Sequence, residues 1–187
     1  MRDSRKIALV FPGIGYHVDK PLLYYSKRIA AEHGFEVFDV SYGNFPKGVK
    51  GDSKKMEECF DMALSQSEEI LKNVEFSKYD QVLVLSKSIG TAVAAAYTDK
   101  YDIAAHHIYY TPVGESLTFM KQAGIAFHGT SDSWADTDVL VEGCKERNIP
   151  LNLIEGGNHS LETGETKNDL KNLCHIMELT EAYIREI

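Results

Sequence analysis

Short apolar runs alternate with longer amphipathic stretches from one end of the chain to the other, the pattern left by repeated βα units that build a mostly parallel sheet. Six runs read as strands, at 6–11, 36–40, 81–85, 104–110, 124–127 and 151–154. The third, Gln81-Val-Leu-Val-Leu85, is apolar without alternation and bounded by polar residues, as a central strand covered on both faces should be. Helical spacing of apolar positions predicts helices over 20–33, from Met56 to Leu71, over 135–147 and over 166–185, with a helix of small residues over 91–97. Gly34 stands where a left-handed cap would stop the first helix, and 41–53, with four glycines or prolines, reads as a loop. Together these predict an α/β fold, a three-layer αβα sandwich around a mostly parallel six-stranded sheet, with residues 1–187 forming one domain.

Composition narrows the function classes. With 187 residues, 43% hydrophobic and 26% charged, disorder, collagen and disulfide-scaffold architectures are excluded. The net charge of -8, from 20 Lys+Arg against 28 Asp+Glu, and the lack of a basic cluster argue against nucleic-acid and anionic-membrane partners. Cys59, Cys144 and Cys174 are odd in number, far apart, and each set in a helical stretch, so neither a disulfide framework nor a zinc site is expected. Only five apolar or small residues separate Lys6 from Pro12, too few for a signal peptide core or a membrane span. A cytoplasmic protein is expected.

The strongest chemical signal follows the third strand, where Ser86-Lys87-Ser88-Ile89-Gly90 leads into the small stretch Thr91 to Tyr97. A serine at a tight strand-to-helix turn sits at the N-terminus of a helix, where free N–H groups favour developing negative charge. Ser86 and Gly90, two residues either side of Ser88, are small enough for strand and helix to approach closely. The same serine also reads as an ordinary helix N-cap. The pattern S-x-S-x-G resembles the nucleophile elbow G-x-S-x-G of the α/β-hydrolase family, with Ser86 in the leading glycine's place.

That resemblance implies a minimal α/β-hydrolase fold, with an acid after a later strand and a histidine after the last, following the serine in chain order. Both are present: His128-Gly129-Thr130-Ser131-Asp132-Ser133-Trp134 follows the fifth strand, and Glu155-Gly156-Gly157-Asn158-His159-Ser160 the sixth. The implied catalytic residues are Ser88, Asp132 and His159. Asp136 and Asp138, expected within the next helix, and Glu115, just past the fourth strand, are rivals for the acid. A turn aspartate and a solvated loop histidine are the plain alternatives for Asp132 and His159. The resemblance also implies an oxyanion hole from the backbone N–H of Ile89 and one in the loop Phe11-Pro12-Gly13-Ile14-Gly15-Tyr16, with Ile14 the candidate and Gly15 the reserve. A dinucleotide fingerprint in that loop fails, because its third glycine would fall on Val18.

The expected chemistry is hydrolysis of a small acyl ester or thioester through an acyl-serine, with His159 as base, Asp132 fixing its tautomer, and no metal or cofactor. The segment 111–122 is short where relatives of this fold carry a lid, which favours a small, soluble acyl substrate. Gly15, His17, Phe119 and Trp134 are expected to touch it, with Met120 a further apolar candidate. His106 and His107 point to opposite faces of a strand, His33 and His175 sit on helices, and His128 is expected to pack. A catalytically silent binding or regulatory protein and an amidase or peptidase on the same triad are the alternatives, and homo-oligomerisation stays open.

Overall fold

The structure is a computed structural model that describes residues 4–121 and 123–187. Met1, Arg2 and Asp3 of the charged N-terminus, and Gln122 at the end of the segment 111–122, lie outside the described residues. Six strands, β1 Lys6–Phe11, β2 Phe35–Asp39, β3 Gln81–Lys87, β4 His106–Tyr110, β5 Gly124–Gly129 and β6 Leu151–Ile154, form one sheet in the order β2-β1-β3-β4-β5-β6. Every pairing is parallel, so the sheet is wholly rather than mostly parallel.

Alternation along the strands divides the core into two faces. Ala8, Val10, Leu83, Leu85, Ile108 and Phe127 pack towards α1 (Pro21–Glu32) and α5 (Thr166–Glu186). Ile7, Leu9, Phe11, Val82 and Val84 pack towards α2 (Ser53–Leu71) and α3 (Ile89–Lys100). Tyr109 and Ala126 meet α4 (Thr137–Glu146) on that second face. The two faces explain the adjacent histidines of β4: His107 is buried, stacked on Tyr109 and bonded to Thr98, whereas His106 turns to Tyr183 of α5. All three cysteines are free, Cys59 and Cys144 buried and Cys174 exposed. Among the described residues no helix is long and apolar enough to cross a membrane.

Several boundaries move for local reasons. β3 runs to Lys87 because its last residues still pair, Ser86 with Phe11 and Tyr109, and Lys87 with Tyr110. Pro21 opens α1, where its missing N–H is no loss, and Gly34 follows the helix at φ +83°. α4 begins at Thr137 rather than 135, because the Asp136 carboxylate accepts from the N–H groups of Asp138 and Val139 and caps the helix. β1 leads outward to β2, and the chain then crosses to β3 and proceeds to the other edge. The loops after β1 and β3 therefore part in opposite directions and leave a crevice at the carboxyl ends of the strands, where ligands of open α/β sheets bind.

Candidate active site

Ser88 sits in that crevice between β3 and α3 with φ 56° and ψ -129°, a backbone conformation that L side chains rarely adopt. The turn tolerates it because its neighbours leave no alternative. A Cβ on Gly90 would lie 2.5 Å from the Pro12 carbonyl and 2.6 Å from that of Phe11, so only glycine lets α3 start this close to β1. Ser86, which stands in place of the motif's leading glycine, is fully buried and its hydroxyl donates to the Ile108 carbonyl at 3.2 Å. α3 itself is buried from Ile89 through Thr98, which accounts for its run of alanines.

Two loops bring partners to this serine. After β5, Asp132 Oδ1 accepts the Trp134 N–H at 2.8 Å, and Oδ2 lies 2.7 Å from His159 Nδ1. After β6, His159 Nε2 lies 2.7 Å from Ser88 Oγ. The loops are stitched together by Ser131 N–H to Gly157 O at 2.9 Å and Gly156 N–H to Thr130 Oγ1 at 2.8 Å. A Cβ on Gly129 would stand 2.1 Å from the Gly157 carbonyl, so the histidine loop lies directly on the acid loop. Thr111, at φ 44°, donates to the His159 carbonyl at 3.2 Å, and the Trp134 ring stacks on the imidazole at 5.2 Å.

Electrostatics fixes the proton positions. Burial raises the Asp132 carboxyl, but the His159 and Trp134 bonds outweigh it and leave it below the ordinary carboxylate range. An ionised Asp132 only accepts, so Nδ1 of His159 carries the proton and Nε2 is free to accept the Ser88 O–H. Burial also pulls His159 below the ordinary imidazole value; Asp132 opposes this and the Lys87 charge adds to it. Near neutral pH the ring is therefore unprotonated and fit to act as a base.

The other candidates are placed less centrally. Asp136 is engaged as the α4 cap, Asp138 lies in α4, and Glu115 is exposed in a 3-10 turn at Gly114–Thr118; none of them bonds His159. Gly13 exchanges backbone bonds with Tyr16, and a Cβ on it would lie 3.0 Å from Ser88 Cβ, which presses the β1 loop against the elbow. The N–H groups of Ile14, Gly15 and Ile89 are left unspent. A cleft of about 380 Å³ opens at Ile89, walled by Met56, Phe60, Val113 and Phe119, with the two phenylalanine rings stacked at 5.2 Å. It shares Met56, Val113 and Glu115 with a second cleft of about 300 Å³ that ends at Lys50 and Trp134. Phe119 and Trp134 thus line these clefts, while Met120 is fully buried. His17 is exposed and accepts the Asp19 N–H at 3.3 Å, and neither it nor Gly15 lines them.

Two further groups stand at the site: His128, expected to pack, and Lys87, which the motif carries without a role. His128 is fully buried, its Nε2 3.0 Å from Thr137 Oγ1 and its Nδ1 3.7 Å from Asp132 Oδ2, so Asp132 faces two imidazoles. Lys87, between the two serines of the elbow, is 1% exposed. A lysine continuing the Leu83 and Leu85 alternation past 85 was the signal for it.

No protein-family model matches the chain, and no curated protein matches it in sequence. Solved structures do match. Est1E from Butyrivibrio proteoclasticus with ferulic acid bound superposes with a TM-score of 0.72 at 13% identity, covering 98% of this chain and 89% of its own. An α/β serine hydrolase homologue from Coxiella burnetii gives 0.67 at 13% identity, covering 97% and 87%. A serine hydrolase without a lid from Xanthomonas campestris gives 0.63 at 12% identity, covering 100% and 85%. The fold is the α/β-hydrolase fold.

Proposed function

We propose that this protein is a serine hydrolase that cleaves a small acyl ester or thioester through an acyl-Ser88 intermediate. One observation carries the reading: a continuous relay of two 2.7 Å contacts from Ser88 Oγ through both ring nitrogens of His159 to Asp132. In the first half-reaction His159 Nε2 takes the Ser88 proton as Oγ bonds to the acyl carbon. The imidazolium then protonates the leaving alcohol or thiol as its bond to that carbon breaks. Water, deprotonated by the same nitrogen, releases the acid and restores the hydroxyl. The N–H groups of Ile89 and Ile14 would hold the oxyanion, a role each such donor fills at about 3–4 kcal/mol of barrier in acyl-transfer enzymes.

The clefts beside the elbow support the substrate class. Walls of Met56, Phe60, Val113 and Phe119 favour an apolar acyl group, and about 380 Å³ favours a short one. In the described part of the connection from β4 to β5, the regular structure is the short turn Gly114–Thr118, which Val113 and Phe119 flank at the cleft. A neighbour of this fold that holds ferulic acid, and a serine hydrolase neighbour without a lid, support the same class. Three free cysteines fit a reducing, cytoplasmic setting.

A fluorophosphonate probe tests the reading, because only an activated serine reacts with it. Wild-type protein labels once, and Ser88→Ala does not label. Folded wild-type protein that stays unlabelled would instead identify a binding module on a hydrolase fold.

A further inference from the structure

The elbow carries a group that the relay does not use. Lys87 immediately precedes Ser88, and strand alternation turns its side chain to the α1/α5 face, on the side of Leu83 and Leu85. There the residue is 1% exposed, and its ammonium stands 5.0 Å from the centroid of the Tyr16 ring. No carboxylate lies within ion-pair distance of it among the described residues, and the ring is its one close partner. An ammonium on so nearly buried a side chain, with no carboxylate paired to it, is costly to folding, and an apolar side chain of similar length would fill the same space without that cost. A chain that keeps one beside a nucleophile keeps it for what its charge does there.

The groups around it define that effect. The β1–α1 loop contributes Tyr16 and Lys20, whose ammonium is 5.2 Å from the same ring; β4 pairs Tyr110 with Lys87; the acid loop contributes Asp132 and the histidine loop His159, while Glu162 acts on Tyr16 and His128 on His159. Of these, Asp132 attracts the Lys87 charge, whereas Lys20 and a protonated His159 repel it. We propose that Lys87 is a positioning residue of the triad, whose buried ammonium beside the elbow serine holds the His159 imidazole in its proton-accepting state when the surroundings turn acidic. This rests on the serine-hydrolase reading above.

The charge is present when it is needed. Burial, only partly offset by Asp132, brings Lys87 down to about 7, while His159 titrates below its ordinary value. The ammonium thus forms at a higher pH than the imidazolium, and it opposes that second step. Above neutral pH Lys87 sheds its proton, so the imidazolium of the transition state meets less repulsion.

The test compares wild type with Lys87→Met and Lys87→Gln in kcat/KM from pH 5.5 to 8.5, together with the NMR titration of the His159 ring. Without the ammonium, His159 protonates at higher pH. Both variants should lose kcat/KM relative to wild type at pH 5.5, a loss that shrinks steadily towards pH 8.5. In wild type the His159 signal should show a second inflection near 7 as Lys87 titrates, absent from both variants. A variant-to-wild-type ratio constant across the range, or a His159 titration that is the same in all three proteins, overturns the proposal. A wild type lacking the second inflection does so even if neither variant folds. The NMR arm requires no turnover, so a protein that fails fluorophosphonate labelling would sink the hydrolase reading while still judging Lys87.

Discussion

The two ends of the sheet differ in what they hold. At the amino ends lies the larger hollow, about 670 Å³, walled by Phe76, Tyr79, Tyr97 and Tyr101. Burial pushes the Tyr97 hydroxyl up to about 12, which makes it less reactive. The carboxyl ends carry smaller clefts, yet there a hydroxyl, an imidazole and a carboxylate stand in hydrogen-bonded series, with Ser88 and Thr111 held at positive φ. Size therefore does not explain where this constellation sits. Strand polarity does: in a parallel sheet every strand delivers its following loop to the same edge, and the reversal between β1 and β3 opens that edge for a ligand.

Substitutions at the two ends should separate them in order of effect. Ser88→Ala removes the proposed nucleophile and should lower kcat by about 10⁶-fold, the loss seen for a triad serine in a protease, with the fold intact by circular dichroism. Gly129→Ala puts a methyl group into the Gly157 carbonyl and must push the histidine loop off the acid loop. It should lower kcat by about 10²-fold, as a misplacement of about 1 Å does, and lower Tm as well. Phe119→Ala opens the apolar wall at Ile89; kcat/KM for a butyryl aryl ester should fall about tenfold while that for the acetyl ester changes less. Tyr101→Ala, in the hollow at the amino ends, should change kcat/KM by less than about twofold. A large effect there would break the comparison.

Much of this architecture is legible in the chain because the physics that sets it is local. Six apolar runs and the helical spacing between them give the sheet and its layers, and Gly34 marks the end of α1 where φ turns positive. The elbow is legible for the same reason: strand, turn and small-residue helix are contiguous in sequence. Asp132 and His159 lie 44 and 71 residues beyond Ser88, and family resemblance, not local pattern, singled them out. That resemblance had no term for the second imidazole on Asp132, His128, which depends on how β5 meets α4.

Other features need the assembled molecule. The cleft draws Met56 and Phe60 from α2, Ile89 from α3, and Val113 and Phe119 from the connection after β4, segments whose meeting no periodicity encodes. In the sequence Asp136 reads as a rival acid, and only the folded chain shows its carboxylate capping α4. His17 looked near the substrate because it follows the oxyanion loop, yet it turns outward to Asp19. Lys87 is the subtlest case, since its charge suggests a strand that has already ended, while its pairing with Tyr110 keeps it inside.

The central claim is that the Ser88 hydroxyl is made a nucleophile by the relay behind it. Mixing the protein with a short-chain aryl ester, quenching within the first turnover and mapping the mass of the acylated peptide tests it most directly. The account predicts one acyl group per chain, on the peptide that contains Ser88, formed in wild type and missing from His159→Ala. An acyl group carried on another peptide, or product released with no acylated chain and undiminished in Ser88→Ala, would contradict it.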